Sequence, residues 1–276
     1  SHTGFRAWYF LARHALFEAL HAHFYQRDRD AWHWHAWPAE FRDPGGAAAR
    51  RFGREHADEV LFHVFLQWLA AQQFGMTAQA AGDAGMTIGI IKDIAIGADS
   101  GGSEAWSNQG RMLNKVSIGA PPDAFNMLGQ SWGVTTFSPA ALAATGYSAF
   151  IALLRAALRD AGGIRIDHVL GLRRLWIVPD GADPRAGAYI GYPLEDLLRL
   201  AALEAWRAKA IVLGEDLGTV PEGFRARLAG YGLKGMQVLW FERPGGKGFR
   251  SPDTWRPDAV SMTTTHDLPT VAGWWL

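Results

Sequence analysis

Three apolar runs in this chain end in acid, and that pattern limits its folds more than any other feature. They are Gly163-Ile164-Arg165-Ile166-Asp167-His168, Ile211-Val212-Leu213-Gly214-Glu215-Asp216-Leu217-Gly218 and Ala259-Val260-Ser261-Met262-Thr263-Thr264-Thr265-His266-Asp267. Side chains alternate along a strand, so Ile164 and Ile166 share one face while Arg165 and Asp167 share the other. A lone charge inside a sheet costs on the order of several kcal/mol, so Arg165 and Asp167 either brace each other or serve chemistry. The intervals between the runs leave room for one or two strand-helix units each. Acids at the carboxyl ends of strands in one parallel sheet converge on one rim, which in (β/α) barrels is the catalytic face.

The chain has 276 residues, 49% of them apolar, enough for one barrel-sized domain or two smaller ones. Lys plus Arg and Asp plus Glu both number 27, so neither a nucleic acid nor an anionic membrane is favoured as a partner. Cysteine is absent, which excludes disulfides and cysteine-based metal sites or nucleophiles. No charged-then-apolar leader is present, and no apolar run approaches the ~18 residues of a spanning helix, so a soluble cytoplasmic protein is expected. Thirteen Trp is a high count. Such rings stack on sugars, but they also fill cores.

Apolar spacing predicts helices over 5–24, 56–74, 147–161, 193–208 and 221–229, with another beginning at 268 and running to Leu276. Strands are predicted over 87–93, 163–167, 210–214, 236–241 and 259–263. Residues 31–44 read as a loop rich in Trp, His and Pro, and 242–258 as one rich in Gly and Pro. His21, His23, His33 and His35 lack acidic or cysteine partners at metal-site spacing. The alternation of strands and helices implies an α/β fold with a parallel sheet. A Rossmann-like sheet is the rival, but no G-x-G-x-x-G follows a strand and no Walker lysine loop occurs. No internal repeat or linker divides the chain, so 1–276 reads as one catalytic domain. Within it, 94–145 lacks any regular period and carries many glycines, as functional loops do.

Three carboxylates on one rim suit glycoside chemistry. In the retaining mechanism one carboxylate attacks the anomeric carbon and another protonates the leaving oxygen, the two standing roughly 5–5.5 Å apart. Asp167, beside Arg165, suits the ionised nucleophile. Glu215, among other carboxylates, suits the acid that keeps its proton. Asp267 is the candidate third carboxylate, binding sugar hydroxyls and favouring the oxocarbenium-like state. Asp216, next to Glu215, points away from it and reads as structural, and Asp93 reads as either a site residue or a helix cap.

With these residues in place the sequence resembles the amylomaltases, the 4-α-glucanotransferases of glycoside hydrolase family 77, relatives of the α-amylases. The resemblance rests on Arg165-Ile166-Asp167-His168, Gly214-Glu215-Asp216-Leu217-Gly218 and Thr265-His266-Asp267. Gly119-Ala120-Pro121-Pro122-Asp123, Gly129-Gln130-Ser131-Trp132-Gly133 and Phe62-His63-Val64-Phe65-Leu66-Gln67-Trp68 add to it. Gly-Thr-Val-Pro after Leu217 and Leu268-Pro269-Thr270 after Asp267 resemble the longer bacterial members most. The family motifs imply Asp167 as nucleophile, Glu215 as acid/base and Asp267 as transition-state stabiliser. They imply Arg165 and His266 as contacts to the reacting sugar, and Asp123, Gln130 and Trp132 as donor-side subsites. The implied activity is transfer of α-1,4-glucan segments between maltooligosaccharides through a covalent glucosyl-Asp167, without metal or organic cofactor.

The resemblance also implies a TIM-type (β/α)8 barrel of which this chain is a central fragment, truncated at both ends, because family members place barrel strands before and after the matching region. Exposed strand edges of an incomplete barrel invite the missing parent segments or self-association. The 94–145 segment is expected to cover the catalytic face. Pro121-Pro122 stiffens the approach to Asp123, and Gly129 and Gly133 bracket Gln130 and Trp132. Two other readings share the acid trio: an α-amylase-like hydrolase or debranching transferase, and an inactive glucan-binding fragment.

Overall fold

A computed structural model describes residues 2–123, 126–243 and 248–275. Two positions of the 94–145 segment (124–125), four of the 242–258 loop (244–247) and Leu276, the expected end of the last helix, lie outside the described residues. The chain packs as two compact units, and each is taken by itself.

The first unit holds 1–83, 97–147 and 175–190. Helix His2–Arg27 packs against helix Ala57–Asp83. On the second helix Leu61, Phe65 and Trp68 remain half exposed, Val60, Val64 and Leu69 are partly buried, and Ala81 is buried. The unit's core is aromatic: Phe17, Trp34, Trp37, Phe52 and Trp106 are buried together with Leu20. Each of those indoles satisfies its N–H on a backbone carbonyl, Trp34 on Ser100, Trp37 on Ala31 and Trp106 on Phe41. These three tryptophans are therefore core material, with ring faces stacked on protein and not open to sugar. The expected loop after the first helix is ordered into short 3-10 turns, Arg29–Trp32, Trp34–Ala36 and Ala39–Phe41.

The stretch read as irregular also has structure. Strand Val116–Ala120 lies at the centre of an antiparallel sheet between Gln130–Ser131 and Arg174–Pro179, with Ala188–Gly191 beyond. Arg174–Pro179 was not expected as a strand. It lies between the distant Val116–Ala120, in the register Val116↔Pro179 to Gly119↔Trp176, and the nearer Ala188–Gly191.

The second unit holds 84–96, 148–174 and 191–276 and contains the expected parallel sheet. Strands Ile91–Ile94, Gly163–Ile166 and Ile211–Gly214 lie side by side in that order, all parallel. Strands Gly235–Val238 and Ala259–Met262 form a second parallel pair. A parallel bridge from Leu213 to Lys234 joins the two groups, with the Gly214 N–H donating to Lys234 O at 2.7 Å and the Lys234 N–H to Val212 O at 2.9 Å. Chain order thus equals spatial order across five strands, the arrangement that successive strand-helix units produce. Helices Ser148–Leu158, Leu194–Ala208 and Phe224–Gly230 connect them. Ile164, Val212, Leu213, Met236 and Val238 are buried, which explains why these strands read as apolar runs instead of alternating ones. The first strand is shorter than predicted, starting at Ile91, and the fourth gives way after Val238 to a 3-10 turn, Leu239–Phe241. The class is α/β, as expected.

Candidate active site

Asp167 and Glu215 leave the carboxyl ends of neighbouring parallel strands, and the ladder continues through them. The Asp167 N–H donates to Ile94 O at 3.0 Å, and the Glu215 N–H donates to Ile166 O at 2.9 Å. Both acids are therefore held by sheet backbone at their own Cα, which gives them fixed starting points on one rim.

Arg165 faces the same way as Asp167, as alternation requires. Its Nη2 stands 2.9 Å from Asp167 Oδ1. Its Nη1 lies 2.7 Å from both oxygens of Asp93, directly opposite in the register. Asp93 is therefore a partner of the site's arginine, not a helix cap. Burial works against the Arg165 charge, but the bonds and charges of Asp93 and Asp167 outweigh it and hold the guanidinium above its ordinary value. With 14% of its side chain exposed, Arg165 is a fixed cation between two carboxylates.

Glu215 is positioned by main-chain donors. Its Oε1 accepts the Leu217 N–H at 2.7 Å, and its Oε2 accepts the His168 N–H at 3.0 Å. The second contact ties Glu215 to the residue next to Asp167, so positions far apart in sequence meet here. His168 reaches this geometry in the left-handed region, at φ 45, which is uncommon for a residue other than glycine. Burial pushes the Glu215 carboxyl above its ordinary value and the charge of Asp167 adds to this, while the Leu217 and His168 N–H groups and Arg165 oppose it. A carboxyl raised by burial beside one paired with a cation is the asymmetry that separates an acid from a nucleophile. Burial lowers the His168 imidazole, against the charge of Asp167, and so favours its neutral form.

Asp267 and His266 follow the strand Ala259–Met262 in the same unit. They are exposed, and the Asp267 carboxylate lies 3.4 Å from His266 Nε2. The Asp267 N–H contacts Thr265 Oγ1 at 3.3 Å.

Asp123, Gln130 and Trp132 belong to the first unit. The Trp132 indole N–H donates to Gln130 Oε1 at 2.8 Å. Gln130 pairs with Ala120 across the small sheet. Gly119 permits that approach, since a Cβ there would overlap the Gln130 carbonyl. Asp123 Oδ1 accepts the Asn126 N–H at 2.7 Å, closing the turn that follows Pro121-Pro122. Among the described residues no group of three or more His, Cys, Asp or Glu is placed to hold a metal ion. No described helix is long and apolar enough to cross a membrane.

A residue whose contribution the sequence did not reveal is Asp216. It is fully buried, with Arg225 Nε at 2.7 Å, Arg256 Nη2 at 3.1 Å and the Met236 N–H at 2.7 Å. Its apartness from Glu215 was legible, but its partners come from other strands and loops.

Comparison with known proteins places these residues in a family. The 4-alpha-glucanotransferase profile of glycoside hydrolase family 77 matches residues 5–276. A 4-alpha-glucanotransferase of Mycobacterium tuberculosis (strain ATCC 25618 / H37Rv) is 45% identical over 245 residues, covering 87% of this chain and 34% of the relative. One from Thermus thermophilus is 32% identical over 254 residues, covering 88% of this chain and 50% of the relative. The crystal structure of amylomaltase from Corynebacterium glutamicum superposes with a TM-score of 0.79 at 37% identity, covering 96% of this chain and 35% of that one. Amylomaltase from Streptococcus agalactiae in complex with acarbose shares the fold, with a TM-score of 0.84 at 20% identity over 98% of this chain and 55% of that one. The chain thus spans about a third to a half of the length of the curated relatives it matches. With a profile match across nearly its whole length and the acid-ended strands in place, the chain belongs to glycoside hydrolase family 77, the 4-alpha-glucanotransferases.

Proposed function

We propose that this chain carries the catalytic rim of a 4-α-glucanotransferase that moves α-1,4-glucan segments between maltooligosaccharides. The observation that carries the reading is the pairing of Arg165-held Asp167 with buried Glu215 on adjacent parallel strands. In the first step an Asp167 oxygen attacks the anomeric carbon, the C1–O4 bond breaks, and Glu215 gives its proton to the departing O4. In the second, the 4-OH of an acceptor glucan gives its proton to Glu215 while its oxygen attacks C1 and releases Asp167. Arg165 pairs with the Asp167 carboxylate at 2.9 Å, and Asp267 and His266 are assigned to the hydroxyls of the reacting ring. The His168 N–H that reaches from Asp167's neighbour to Glu215 supports a separation near the retaining value of roughly 5–5.5 Å.

The five parallel strands are read as an arc of a (β/α)8 barrel, which takes eight to close. Closure is assigned to further segments of a longer polypeptide or, failing that, to a second copy at the exposed edges. The whole of 1–276 is read as part of that catalytic domain, with 94–145 as the cover of its rim. Asp123, Gln130 and Trp132 there are assigned to donor sugars. Excluding water from the intermediate is what lets a sugar hydroxyl, not water, resolve it. The acarbose complex of the Streptococcus agalactiae protein supports glucan-like ligands for this chain too. Incubation with maltotriose followed by chromatography tests the reading. Longer and shorter products together support transfer, shorter ones alone indicate a hydrolase, and glucan binding without turnover indicates a binding fragment.

A further inference from the structure

Glu215 cannot act unless the short loop after it holds still, because both of its oxygens are aimed by backbone N–H groups, one of them from Leu217 in that loop. The anchor of the loop is the intervening residue. Asp216 has no exposed surface, and three donors converge on its carboxylate: Arg225 Nε and Arg256 Nη2 on Oδ2, and the Met236 N–H on Oδ1. The two arginines also grip the backbone around it. Arg225 Nη2 donates to the Asp216 carbonyl at 3.0 Å, and Arg256 Nη2 donates to Met236 O at 3.0 Å. Gly235 is part of the same fit, since a Cβ there would lie 2.8 Å from Asp216 Oδ2 and from Arg256 Nη2. One buried carboxylate thus links the loop bearing Glu215 to the strand Gly235–Val238 and to the segment entering the strand Ala259–Met262.

We propose that Asp216 is a positioning residue, which acts on the reaction by fixing the Glu215–Leu217 backbone and through it the direction of the Glu215 carboxyl. A buried carboxylate held by two guanidiniums and an N–H has one low-energy placement, so the peptide on either side inherits it. Burial without such partners would be prohibitive, which makes the whole arrangement all-or-none. The inference rests on reading Glu215 as the acid/base.

Asp216→Asn in this chain tests it, with Arg256→Lys as the milder variant and circular dichroism to establish folding. The first readout needs no turnover. Glutamate labelled with 13C at the carboxyl is titrated by NMR, and Glu215 is identified by the signal missing in Glu215→Gln. In folded Asp216→Asn the Glu215 midpoint moves down toward the ordinary carboxylate range, because a released loop exposes the carboxyl and unpaired Arg225 and Arg256 favour its anion. Arg256→Lys shows a smaller shift of the same sign, and it decides the matter if the Asn variant does not fold. An unchanged midpoint in a folded variant overturns the proposal. The second readout separates positioning from scaffolding. Transfer from maltotetraose falls by roughly 10- to 100-fold in Asp216→Asn, as a misplaced catalytic group predicts. The burst of fluoride from α-maltotriosyl fluoride, whose leaving group needs no proton, is retained. Equal loss with both donors overturns the proposal. If the wild-type chain turns over neither donor, the titration decides the role of Asp216.

Discussion

Glu204 offers a stability test that requires no activity. It sits on the helix Leu194–Ala208 with 4% of its side chain exposed. Arg155, from the helix Ser148–Leu158, donates to both of its oxygens at 2.8 Å, and Arg207 Nη1 adds a third bond at 2.8 Å. Glu204→Gln keeps the shape and removes the charge. Hydrogen bonds to charged groups contribute roughly 1.5–3 kcal/mol each, but both arginines are half exposed and their share is screened. A loss of about 2–3 kcal/mol at neutral pH follows, below the ~3–5 kcal/mol for breaking a fully buried pair. The pH dependence has a definite sign. The hydrogen bonds of Arg155, against the cost of burial, hold the Glu204 carboxyl below its ordinary value. A depressed carboxyl contributes stability that is present above the unfolded-state pKa and is lost as pH falls through the folded one. Urea unfolding followed at 222 nm should therefore show a gap between wild type and variant that is widest near pH 7 and narrows below about pH 4.5, the region where an unfolded glutamate titrates. A gap under about 0.5 kcal/mol at pH 7, or one that stays constant into acid, would refute the reasoning.

Other outcomes follow from the site and its support. Because burial raises Glu215, transfer should be lost as pH rises through its folded-state pKa, and Glu215→Gln should lower the natural reaction by roughly 10²- to 10⁴-fold; a rate independent of pH up to alkaline values argues against Glu215 as the acid. Gly119→Ala places a Cβ on the Gln130 carbonyl and should destabilise the first unit by about 1–3 kcal/mol, with amide exchange accelerated across Val116–Ala120; unaltered protection there contradicts the close approach. Trp132→Ala should weaken glucan transfer and raise the share of hydrolysis, as chromatography of maltotriose products would report, and unchanged product ratios would leave this segment as scaffold.

What the sequence determined by itself was local. Mostly apolar runs that lead into an acid marked Gly163–Ile166, Ile211–Gly214 and Ala259–Met262 as strands, and marked the acids that follow them. Alternation alone put Arg165 on the side of Asp167, and motif resemblance then pointed to the family. Tertiary structure decided everything that depends on distant partners. Arg174–Pro179 pairs with Val116–Ala120 from far back in the chain, and nothing in its own six residues names that partner. Asp93 was equally legible as a cap or a site residue until the register placed it opposite Arg165. His168 turns left-handed where its N–H meets Glu215, a contact between positions 47 apart that the sequence does not announce. Asp216 is one carboxylate whose three donors come from positions 225, 236 and 256, and only folding brings those groups within hydrogen-bond reach of it.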